Sequence, residues 1–159
     1  MKINIFCVGK IKESFFEEAI KEYSKRISKY AKLEIIEVKD ESIPANASAL
    51  IEEEIKEKEC NKIIDKLPNN AYTCALDLGK EQFDSIFFSS KLENMFIKGK
   101  GTINFIIGGS LGLSKTMKEK VDESISFSKM TFPHQLCRVI LLEQIYRAFR
   151  ILNNEPYHK

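Results

Sequence analysis

The sequence predicts a single α/β domain over residues 1–159, built on a mostly parallel sheet of five to six strands with helices on both faces. Three observations predict it. Strand-like and helix-like stretches alternate from one end of the chain to the other. No internal repeat, low-complexity segment or linker interrupts them. At the end of the apolar strand "TINFII" stand three of the chain's seven glycines, in "GGSLG" (108–112), where open parallel sheets bind ligands.

The elements follow in order. "KINIFCVG" (2–9) is rich in β-formers and reads as the first strand. In "SFFEEAIKEYSKRISKY" (14–30), Phe15, Phe16, Ala19, Ile20, Tyr23, Ile27 and Tyr30 recur at helical spacing. Ser14 with Glu17 predicts a capping box at its start. "KLEIIEVK" (32–39) is a second strand, and "DESIPANAS" (40–48) a loop. Residues 46–66 are helical, with Leu50, Ile51, Ile55, Ile63 and Ile64 inward and Lys and Glu outward. "AYTCALD" (71–77) is a third strand, residues 81–98 a helix and "TINFII" (102–107) a fourth strand. Ser114 opens a short charged helix, "ISFSKM" (125–130) is a fifth strand, and residues 134–154 form the last and most apolar helix.

That last helix is apolar nearly all the way round. A helix of this kind is buried on every side, so a second copy of the chain is the expected cover, in a two-fold dimer. The alternative is a helix threaded deep into its own fold.

Composition excludes several classes. No apolar run approaches the roughly 20 residues of a membrane span. The opening "MKINIFCVGK" reads as a strand, not a signal peptide, so the expected location is the cytoplasm. Cys7, Cys60, Cys74 and Cys137 form no CxxC, and with two histidines no metal site is expected. The net charge of +2 does not announce a nucleic-acid binder, and no DNA role is expected. Residues 128–159, however, hold three of the four arginines, Arg138, Arg147 and Arg150. Those suit phosphate recognition or a solvated face with partners such as Glu143.

Three strand ends stand out: "ALDLGK" (75–80), "IIGGSLG" (106–112) and "SFSKMTFPHQ" (126–135). The glycine loop is neither a Walker A motif nor GxGxxG. It suits an uncharged or zwitterionic ligand held through main-chain groups.

"IGGSLGLS", "SKMTFPHQLCRVILLEQIYRA" and the closing "NEPYHK", together with "INIFCVGK" and "ALDLGK", resemble the ribosomal RNA large-subunit methyltransferase H family of SPOUT methyltransferases, over the whole chain. The resemblance implies a C-terminal trefoil knot and a homodimer. It implies transfer of a methyl group from S-adenosylmethionine to N3 of a pseudouridine in 23S rRNA, on the assembled ribosome. A ribosome- or RNA-binding module of the same fold without catalysis is the alternative. By position, the cofactor is expected at Leu76, Gly108, Phe127, Ser128, Lys129, Met130, Thr131 and Phe132, with the glycines clearing room for it. Proton removal or charge stabilisation at N3 is expected from Arg138, Tyr157 and His158. His134 is expected to serve the helix start.

Overall fold

The computed structural model describes residues 1–157. His158 and Lys159 lie outside the described residues. In chain order the elements are β1 (Lys2–Val8), α1 (Ser14–Ile27), β2 (Lys32–Val38), α2 (Ala49–Ile64), β3 (Tyr72–Glu81), α3 (Ser85–Lys98), β4 (Thr102–Ile107), α4 (Lys115–Lys120), β5 (Glu123–Ile125) and α5 (His134–Leu152). The five strands form one sheet in the order β2-β1-β4-β3-β5, parallel throughout. The predicted fold class is the observed one.

Side-chain alternation along the strands divides the core in two. Ile3, Ile5, Cys7, Ile103, Phe105 and Ile107 face α1, α3 and α5. Phe6, Val8, Val38, Ala75 and Ile106 face α2 and α4, meeting Cys60, Ile63 and Met117. Among the second set runs a polar ladder across three strands. Asn4 Nδ2 donates to Asn104 Oδ1 at 2.9 Å, and Asn104 Nδ2 donates to Thr73 Oγ1 at 3.2 Å. All three residues are buried and paired in register.

Local chemistry sets most boundaries. Ser48, Asp84 and Ser114 cap α2, α3 and α4, their side chains accepting from Ile51, Phe87 and Met117 backbone N–H. The capping box expected at Ser14 does not form. The cap residue is Glu13, without a side-chain bond, and its carbonyl already accepts from the Phe16 and Glu17 N–H groups. The fifth strand is also shorter than expected, and lies earlier. After Ile125, Ser126 Oγ donates to Ser128 O (2.8 Å) and Ser128 Oγ accepts from Met130 N–H (3.0 Å). These local bonds turn the chain away from the sheet.

Helix α5 packs between α1 and α3. Leu141, Leu142, Ile145, Ala148 and Phe149 are buried, while Leu136, Val139, Ile140, Ile151 and Leu152 stay half-buried.

Candidate active site

The chain leaves β3 toward β4, then leaves β4 back across β3 to reach β5. The strand ends on either side of such a reversal cannot be roofed by one connection, so a crevice remains there. In this protein it is a cleft of about 760 Å³, lined from the ends of β3, β4 and β5 and from the start of α5. The volume lies within the range of small-ligand sites.

The glycine loop forms one wall by folding on itself. Gly112 N–H donates to Gly109 O at 3.0 Å, and Gly112 sits at φ +86°, a left-handed conformation that glycine adopts without strain. A Cβ on Gly108 would lie 2.8 Å from Gly112 O and 2.9 Å from Gly112 C. One on Gly109 would lie 2.7 Å from Glu59 Oε2. The expectation that these glycines clear room for a ligand is therefore corrected: at Gly108 and Gly109 the space is filled by the loop's own backbone and by α2. The loop's residues from Gly108 to Gly112 line the cleft, flanked by Ile107 and Leu113.

Of the expected cofactor residues, Leu76, Gly108, Phe127, Ser128, Met130, Thr131 and Phe132 all line this cleft. Met130 stands at the rim, 70% exposed. Lys129 is exposed in the turn between Ser128 and Met130 and is not among the lining residues. Asp77 and His134 also line the cleft; both fall within the strand ends singled out above without an expected ligand role, and sequence reasoning missed Lys56, Lys118 and Cys137. Lys118 Nζ lies 3.1 Å from Asp77 Oδ2, so one part of the lining is zwitterionic.

Residues 1–158 match the family model described as "Predicted SPOUT methyltransferase". It is 57% identical over 159 residues to a Clostridium botulinum protein named ribosomal RNA large subunit methyltransferase H, covering all of both chains. This chain belongs to that methyltransferase family. A Clostridium perfringens protein named ribosomal RNA large subunit methyltransferase H 1 is 54% identical, again over both full lengths. The methyltransferase also shares its fold with the crystal structure of tRNA (m1G37) methyltransferase from Aquifex aeolicus. There the TM-score is 0.53 at 14% identity, over 92% of this chain and 70% of that one.

The remaining expected residues of the methyltransferase lie apart from one another. Arg138 is 1% exposed, its guanidinium turned to the ends of β1 and β2. It pairs with Glu37 at 2.5 Å and donates to Gly9 O at 2.6 Å. Tyr157 packs on its own chain, edge-on to Tyr146 with ring centroids 4.9 Å apart, beneath the Arg147 guanidinium. Its hydroxyl donates to Glu143 at 3.2 Å. Burial foremost, with Tyr23 and Glu143 adding to it, pushes the phenol up to about 12, so it holds its proton at neutral pH. Arg150 donates to Pro156 O (2.9 Å) and pairs with Glu155 (2.6 Å), fastening the tail to α5. The expectation for His158 lies outside the described residues. No helix among the described residues is long and apolar enough to cross a membrane, and no cluster of His, Cys, Asp or Glu there suits a metal ion.

Proposed function

We propose that this rRNA large-subunit methyltransferase uses S-adenosylmethionine to methylate N3 of a pseudouridine in 23S rRNA, on the assembled ribosome in the cytoplasm. The observation that carries this reading is the convergence of three separate strand ends on one cleft. Its chemistry fits the cofactor. Leu76, Ile125, Phe127 and Phe132 make an apolar slot for an adenine, and the main chain of residues 108–113 supplies donors and acceptors beside it. The Asp77–Lys118 wall suits the polar, zwitterionic end.

When bound, S-adenosylmethionine supplies a methyl group already activated on a sulfonium. The protein's work is then positioning and proton handling. Ser128, Met130 and Thr131 border the cofactor slot, whereas Lys129 faces solvent and suits an RNA phosphate. Arg138 is a positioning residue, holding Gly9 and β2 beneath the start of α5. The tail residues Tyr157 and His158 serve the target base of a second subunit in a homodimer. The half-buried apolar residues of α5 support such a dimer, and the family implies a trefoil knot in the C-terminal part.

The test is to incubate the protein with ribosomes lacking the modification and methyl-labelled S-adenosylmethionine, then to map the label. Label on N3 of one 23S pseudouridine supports the reading. No transfer, or label elsewhere, refutes it.

A further inference from the structure

His134 is the first residue of α5, as expected, but its side chain does not cap the helix. It makes no cap hydrogen bond; the cap position is Pro133, whose carbonyl accepts from Cys137 N–H. Its side chain is a wall of the cleft, shared with Phe132, Pro133 and Cys137. The ring lies beside Gly9, the residue that follows β1. A Cβ built on Gly9 would stand 3.6 Å from His134 Nε2 and 3.9 Å from both Cβ and Cγ of Asp40. Gly9 is at φ +79°. A Cβ there would meet both groups at ordinary contact distance, so it is the positive φ that calls for glycine. Position 9, just past β1, lies beside an imidazole and a carboxylate, and its carbonyl accepts from Arg138.

We propose that His134 accepts the N3 proton of the target pseudouridine. The inference rests on the function proposed above. In the step, N3 bonds to the methyl carbon and the S–C electron pair returns to sulfur, leaving a neutral thioether. The N3 proton passes to the imidazole, which becomes imidazolium and later releases it to water. A neutral imidazole is required. Burial, then the Arg138 charge, lowers the His134 pKa from its ordinary value. Asp40 acts the other way, as does Glu13, while Lys12 adds to the lowering. The ring is therefore neutral at pH 7 and loses its acceptor role as the pH falls through that lowered value. The lysines that line the cleft, Lys56 and Lys118, are held in ion pairs with Glu53 and Asp77. Tyr157 does not take this part, since it keeps its proton as a donor to Glu143.

The experiment compares the full-length wild type with His134→Gln and His134→Ala, on ribosomes lacking the modification. Expected for His134→Gln is unchanged S-adenosylmethionine affinity by calorimetry and a 10²- to 10⁴-fold loss of kcat, the usual scale for a removed general base. The acid limb of the wild-type pH–rate profile should vanish with it. His134→Ala should recover rate with added imidazole. The chain has two histidines, so proton NMR of wild type and His134→Gln isolates the His134 titration, which should match that limb. A kcat within threefold of wild type with the limb intact overturns the proposal. So does a loss accounted for by weakened cofactor binding, or a failure of imidazole to rescue. Absence of transfer by the wild type overturns the proposed function and this inference together.

Discussion

Removing the Arg138 guanidinium should damage the fold before it damages chemistry. In Arg138→Met the apolar stem is retained, so little volume is lost. Three things go: the ion pair to Glu37, the charged donor to Gly9 O, and a longer bond to Val8 O at 3.4 Å. A buried carbonyl left without a donor costs about 1–3 kcal/mol. Breaking a buried ion pair costs about 3–5 kcal/mol when the surviving charge stays dry. Glu37, however, is 34% exposed and takes up water once released, which places the total near the low end, about 3 kcal/mol. For a chain of this length that is a fall of about 6–12 °C in Tm. The opposite deletion, Glu37→Ala, should cost at least as much, because the charge it strands is 1% exposed. Differential scanning calorimetry of both variants measures the asymmetry. An Arg138→Met protein with wild-type Tm and no methyl transfer would refute this reasoning, and would return Arg138 to direct contact with the substrate.

Gly108→Ala should lose about 1–3 kcal/mol of stability by overpacking against the Gly112 backbone; thermal melts with and without S-adenosylmethionine should show a lower Tm and a smaller ligand-induced rise. Glu59 is buried on α2 and accepts from Glu41 N–H. Burial, with Asp40 and Glu41 adding to it, raises its pKa. The stability this group contributes is complete below the ordinary carboxyl range and is lost as the pH rises through the raised value. Glu59→Gln should therefore be more stable than wild type at pH 8, with the gap closing toward about pH 4 in urea titrations. Deleting Tyr157–Lys159 should leave the calorimetric S-adenosylmethionine affinity intact and abolish turnover on ribosomes.

The sheet and its helices were legible because their signals are local. Periodicity marks α1 and α2, serines precede α2 and α4, and apolar runs mark β1 and β4. The cleft was legible as well: "ALD" lies where β3 leaves its pairing with β4, "GGSLG" follows β4 and "SKMTFPH" follows β5, and a parallel sheet brings these points together. Pairings across the chain were not. Arg138 finds Glu37 from 101 positions away, and nothing in "QLCRVI" distinguishes a buried guanidinium from one facing RNA. Gly9 reads as the end of the first strand, and only the structure shows its positive φ and the His134 ring beside it. The serines of "SFSKM" read as strand residues, yet their hydroxyls bond locally and end β5. At Gly108 and Gly109 the residue type was a correct sign of crowding, but what crowds them is protein.

The Asn4–Asn104–Thr73 ladder has a consequence for how the molecule is reached in time. Parallel strands can slide past one another by two residues and still turn the same side chains inward. In the centre of this sheet such a slide would strand amide groups among Phe6, Ile106 and Ala75. The three members come from distant parts of the chain, positions 4, 73 and 104, so the late, non-local strand pairings that slow the assembly of such folds are also the ones checked for alignment. A kinetic trap with slipped strands would pay the desolvation of those amides, and would reopen.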